Sequence, residues 1–163
     1  MHIRIMRWRY TTGEPRDFIK AAEWLAEQVQ LLLPACYQPD RTGLYLATAE
    51  AGAAASVSFW ADALREGPGF VNPGDFPWTL ANSPAGYLAM RFNLQGPSYT
   101  LAGRADAMFS AFQHADDLAS ARVDHALVIR FDAFAAVTMR GYWLTREPVP
   151  EPQDSPSALG YPS

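Results

Sequence analysis

The chain has 163 residues, with 13 Lys and Arg against 17 Asp and Glu, a net charge of −4 with His neutral. That length suits one domain, and a hydrophobic content of 49% with 18% charged residues excludes disorder as the overall state. One cysteine excludes an internal disulfide framework and a four-cysteine zinc site, and a negative balance without a basic block argues against nucleic acid or an anionic membrane as the partner.

The segment Met1 to Tyr10 carries three arginines but no apolar h-region, so it does not read as a secretory signal. Within it Ile3, Ile5, Trp8 and Tyr10 interleave with Arg4, Arg7 and Arg9, which predicts a strand over His2 to Thr11. Thr12 to Pro15 is a turn. From Asp17 to about Leu33, Phe18, Ala21, Ala22, Leu25, Val29 and Leu32 follow the spacing of a helix with one buried face, and Pro34 ends it. A turn at Asp40 to Gly43 leads into the apolar run Gly43 to Thr48, the pattern of a strand covered on both sides. A small-residue passage, Glu50 to Ser56, precedes a helix over Val57 to Arg65, which Gly67 and Pro68 stop.

Asn72 to Pro77 is a loop. Asn82 or Ser83 caps a helix with Pro84 at an early position, running to about Phe92. After the turn Gln95 to Pro97 come a strand at Ser98 to Ala102 and a helix at Arg104 to Leu118. Two further strands follow, Asp124 to Phe134 and Val137 to Thr145. From Arg146 onward Pro and Ser dominate, which predicts a domain over residues 1–147 and a tail over 148–163. The order β-α-β-α-α-β-α-β-β indicates an α/β domain with a mixed sheet packed with helices, parallel crossovers first and an antiparallel pair last. No stretch reaches the ~18–20 apolar residues of a membrane span, and the expectation is a cytoplasmic protein.

A search for chemistry returns little. There is no Gly-rich phosphate loop, no His-Glu-x-x-His helix and no Gly-x-Ser-x-Gly elbow. His2, His114 and His125 lack ligand spacing to one another or to Cys36, so neither a metal nor a cofactor is implied. Cys36 lies at a helix C-terminal end without a cationic neighbour, the wrong setting for a lowered thiol pKa.

A set of ordered landmarks carries more. They are Arg41-Thr-Gly-Leu-Tyr-Leu, then Gly67-Pro68 with Asn72 to Pro77, Asn82-Ser-Pro-Ala-Gly86, Asn93-Leu-Gln-Gly-Pro97 and Val123-Asp124-His-Ala-Leu-Val128. In their order, and in spacing that needs no gap from Arg41 to Leu118, they resemble the N-terminal half of β-ketoacyl synthases. These are the condensing enzymes of fatty acid and polyketide synthesis. The resemblance implies half of a thiolase-like fold.

It also implies an absence. The family's acyl-carrying cysteine stands eight residues after the proline of Gly-Pro, where a helix N-terminus lowers its pKa and backbone N–H groups form an oxyanion hole. That position here is Ala105. The catalytic histidines and lysine of the family come from a C-terminal half that this chain does not show. The resemblance therefore implies a subunit that is not an enzyme, like a reduced chain-length factor.

Family dimers pair through the strand equivalent to Ser98, Tyr99, Thr100 and Leu101, with the helix of Phe109 and Phe112 behind it. The loop holding Asp75 and Phe76 reaches the partner's acyl cavity. The implied partner is a full-length ketosynthase in a heterodimer, with an acyl carrier protein as a further partner, in a type II fatty acid, polyketide or aryl-polyene system. The alternative is a homodimeric scaffold that binds an acyl group or its carrier. A charge pair, Arg104 and Asp106, is the one candidate for new chemistry beside Ala105. The apolar helix around Ala105 to Leu118 is the surface expected to need a cover.

Overall fold

A computed structural model describes residues 2–9 by their backbone, and residues 18–50, 52–103, 110–114, 123–134 and 136–145 in full. The strands are β1 (His2–Arg9), β2 (Thr42–Thr48), β3 (Ser98–Ala102), β4 (His125–Ala133) and β5 (Val137–Thr145). The helices are α1 (Phe18–Leu32), α2 (Ala53–Glu66) and α3 (Ser83–Arg91), and residues 110–114 are also helical. The strands form one sheet in the order β1-β5-β4-β2-β3. β2 runs parallel to β3 and β4, while β5 runs antiparallel to both β4 and β1. Four strands thus share a direction and β5 opposes them, the mixed sheet expected from the order of elements.

All seven residues of β2 are buried, as its unbroken apolar run predicts. Strand alternation sends Leu44 and Leu46 to one face of the sheet and Tyr45 and Ala47 to the other. On the first face α1 lays down Ala21, Leu25, Val29 and Leu32, and α3 adds Ala85 and Leu88. Each fully buried Leu or Val of this layer contributes about 1.5–3 kcal/mol. On the second face Ala111 and Phe112 meet Ala126, Val128 and Leu144.

The landmark residues prove to be fasteners. The Arg41 guanidinium grips both carboxylate oxygens of Asp124, with Nε–Oδ2 at 2.9 Å and the second contact at 3.1 Å. The Asp124 amide donates to the Arg41 carbonyl, so the starts of β2 and β4 are tied twice. Asn93, at φ 51°, turns the chain out of α3, and the Leu94 amide reaches back to the Ala89 carbonyl.

One boundary differs from expectation. α2 begins at Ala53, not at Val57. Gly52, at φ 79°, supplies the left-handed turn that starts it, and three alanines of high helical propensity follow directly. The small-residue passage is therefore the first turn of the helix. The strand predicted to reach Thr11 is described to Arg9, and the residues beyond it up to Asp17 lie outside the described residues. The N-terminal and C-terminal parts of the helix expected over Arg104 to Leu118, with Ala105 and Phe109, also lie outside them, as do residues 146–163.

Candidate functional site

In a sheet with parallel strands the place for chemistry is the crevice beyond the carboxyl ends of those strands. Here those ends are Thr48 of β2, Ala102 of β3 and the region of Asp132 in β4. Thr48 and Ala102 lie side by side in the register, and the Gly103 amide donates to the Thr48 carbonyl at 2.9 Å. The chain thus leaves β3 toward position 105 directly beside the end of β2.

The polar groups at this end are bound to each other. Asp132 Oδ1 accepts from the Thr48 hydroxyl at 3.1 Å and from the Ala49 amide at 2.7 Å, while Oδ2 accepts from Arg130 Nε at 2.9 Å. That arrangement uses the carboxylate to shape the turn after β2. Glu50 sits next to it. Burial, then the charge of Asp132, pushes the Glu50 carboxyl above its usual range, against a smaller opposing effect of Arg130.

A small cavity of about 50 Å³ opens here, between Leu46, Phe131 and the first turn of α2, with Trp78, Leu80 and Pro84 opposite. One water needs about 10–15 Å³, so the cavity holds a few waters or a short alkyl group and not a long acyl chain. Cys36 and His125 lie elsewhere. Cys36 is exposed in the turn after α1, beside the start of β2 at the opposite end of the sheet. His125 also belongs to that end: its ring stacks on Trp143 at 5.1 Å and its Nδ1 lies 3.1 Å from the Thr145 hydroxyl. Among the described residues no group of three His, Cys, Asp or Glu could hold a metal ion. No helix among them is long and apolar enough to cross a membrane.

The residues expected to meet a partner fall into two places. β3 is an edge strand, and its outer side has no strand neighbour among the described residues. Ser98 and Tyr99 are exposed, while Thr100 and Leu101 are half-buried. Leu101 packs under the second face of the sheet, and the Thr100 hydroxyl is buried without a hydrogen-bond partner. Tyr99 lies between two rings, Tyr45 at 6.0 Å and His114 at 5.6 Å, both stacked. Phe112 turns toward the sheet and packs edge-on against Tyr142 at 4.7 Å.

The second place is the loop after α2. Phe76 is 55% exposed and touches the ring of Phe59 on α2 at 5.8 Å. Asp75 is half-buried and makes no side-chain cap to the short 3-10 turn Phe76–Thr79 that follows it. Sequence reasoning placed a helix over Val57 to Arg65 but named no functional residue on α2. Val57, Trp60 and Leu64 form an apolar stripe at helical spacing, and that stripe faces outward. The periodicity was visible, but periodicity alone reads as a buried face.

Comparison with known proteins decides the fold. No family model matches the chain, and no curated protein matches it. Solved structures do. The ishigamide ketosynthase/chain length factor superposes with a TM-score of 0.63 at 20% identity, over 69% of this chain and 37% of that one. The fold is that of the ketosynthases and their chain length factors. The ketosynthase ApeO in complex with its chain length factor ApeC, from Xenorhabdus doucetiae, matches with a TM-score of 0.61 at 13% identity, over 83% of this chain and 63% of that one. The AntDE:AntF structure, a type II acyl-carrier protein with its ketosynthase, matches at 0.64 and 14% identity, over 80% of this chain and 47% of that one. The chain therefore spans between 37% and 63% of the length of these solved ketosynthase-fold chains.

Proposed function

We propose that this chain is a non-catalytic, chain-length-factor-like subunit that pairs with a condensing ketosynthase and shapes its acyl cavity. The observation that carries the reading is a ketosynthase fold whose nucleophile position, by the sequence resemblance, is Ala105. A methyl group cannot form a thioester, so condensation would belong to the other subunit. The similar structures support the pairing, since two of them are of a ketosynthase with a chain length factor. The third is of an acyl carrier protein bound to its ketosynthase, which supports the carrier as a further partner.

In this reading the open edge of β3, at Ser98 to Leu101, meets the partner strand, with Phe109 and Phe112 behind it. Asp75 and Phe76 project into the partner's cavity and set where a growing chain stops. The system is a type II fatty acid or polyketide assembly, with aryl-polyene pigments as the specific case. In this reading the ketosynthase-like domain ends near residue 147, and residues 148–163 are a Pro- and Ser-rich tail.

Co-expression with a full-length ketosynthase of the same organism tests the pairing. A heterodimer that survives gel filtration at micromolar concentration is expected, and separate elution refutes it. Phe76→Ala is then expected to lengthen the product of the complex, and an unchanged product length removes the gating role. A stable symmetric dimer of the chain alone would favour the homodimeric acyl- or carrier-binding scaffold.

A further inference from the structure

We infer that α2, with the loop behind it, is the anchor by which this chain holds its ketosynthase, an inference that rests on the pairing proposed above. α2 has 14 residues, and Ala55 alone is buried. A helix of that length is marginal in water without tertiary packing. Its main contact among the described elements is the 3-10 turn Phe76–Thr79, not the sheet.

The apolar side chains that should cover such a helix point away from the body. Val57 is 64% exposed, Trp60 64%, Leu64 87%, Phe70 83% and Phe76 55%. At the ~150–250 Å² that an aromatic side chain can bury, with somewhat less for Val and Leu, these five leave about 700 Å² of side chain bare. The largest apolar patch on a typical monomer is about 300–600 Å². The area given up by each partner of a standard interface is about 800 Å². The summed bare area is thus near what one stable interface removes from each partner.

Charge narrows the partner. Arg65 is held by Asp62 at 2.6 Å and by Glu66 at 2.8 Å, so the cation of this helix is already neutralised from within. Neither an anionic membrane nor a nucleic acid finds a basic face here. The surface fits the apolar face of another folded protein. It is also continuous with the loop proposed to enter the ketosynthase, because Phe59 of α2 touches both Trp60 at 6.0 Å and Phe76 at 5.8 Å. Trp60, a large ring central to the stripe, is the expected hot spot.

The test uses the full chain and a full-length ketosynthase of the same organism, with affinity measured by calorimetry. The double variant Trp60→Glu with Leu64→Glu should weaken binding by more than about 100-fold, two decades on the affinity scale. Both side chains are exposed, so the helical signal and melting temperature of the isolated chain should stay at the native values. Wild-type affinity should change less than about threefold between low and high salt, since no interfacial ion pair is involved. Native-like affinity of the double variant overturns the anchor while leaving the pairing intact. A wild-type chain that binds no ketosynthase overturns both. A homodimer of the chain alone that the same double variant dissolves assigns this face to a second copy and overturns the partner named here.

Discussion

Gly96→Ala should be among the most damaging single-methyl changes available to this chain. A Cβ at that position would stand 2.2 Å from the Thr42 carbonyl oxygen, 2.6 Å from its carbon and 3.0 Å from the Gly43 nitrogen. All three atoms are backbone, and they belong to β2, which is paired on both sides and cannot step back. The turn must move instead. Moving it strains two hydrogen bonds, from the Gln95 amide to the Pro39 carbonyl at 2.9 Å and from the Leu44 amide to the Pro97 carbonyl at 2.8 Å. At about 1 kcal/mol for each bond, with about 1–3 kcal/mol for overpacking, the loss is about 3–5 kcal/mol. For a domain of this size that lowers the melting temperature by about 6–20 °C.

The fitting control is Gly86→Ala, on the exposed side of α3, where a Cβ would meet nothing within 4 Å. It should gain about 0.5–1 kcal/mol from helical propensity. Urea unfolding of the two variants beside the native chain reads both numbers. A Gly96→Ala protein within 1 kcal/mol of the native chain refutes the reasoning, because it would mean that the turn and β2 are not in contact.

Three further changes probe the sheet and the end of β2. Tyr45→Phe should stabilise the chain by about 1 kcal/mol, since the Tyr45 hydroxyl is buried without a hydrogen-bond partner. The same burial, with Tyr99 beside it, pushes that hydroxyl up to about 12, so the ring should show no absorbance titration below pH 11. Asp132→Ala should cost about 2–3 kcal/mol in urea unfolding, because it removes the acceptor shared by Thr48, Ala49 and Arg130. Glu50 has a folded-state pKa above its unfolded value, so ionising it disfavours the fold. Glu50→Gln should therefore be more stable than the native chain at pH 7, and the difference should vanish as pH falls below the ordinary value of 4.5. A difference that grows on acidification would refute the burial of that carboxyl.

Much of the architecture was readable because the sequence states local physics. The unbroken apolar run at Leu44 to Ala47 says that both faces are covered, and β2 is buried throughout. The three-four spacing of Leu25, Val29 and Leu32 places α1 on the sheet. The landmarks that suggested a family turn out to hold the fold together: Arg41 clamps Asp124, and Gly96 lets the turn lie against Thr42. They speak for the fold alone.

The start of α2 was misplaced because Gly and Ala read as a loop until the left-handed turn at Gly52 is seen. The exposed stripe was not singled out, for a deeper reason. Val57, Trp60 and Leu64 carry the same periodicity as a core-facing helix, and the pattern does not say whether the core that covers them belongs to the same chain.

The position of β1 has a consequence for how the chain is made. Its strand neighbour is β5, the last strand among the described residues, so its hydrogen bonds join distant parts of the sequence. At roughly 5–20 residues per second of synthesis, β1 waits about 6–26 seconds for a partner. β2, β3 and β4 find one another earlier, because their parallel ladders need only the middle of the chain. The folding order on the ribosome should then run from the centre outward, with the arginine-bearing first strand joining last. Arg4, Arg7 and Arg9 along that waiting strand are the kind of residues that keep an unpaired edge from sticking to its neighbours.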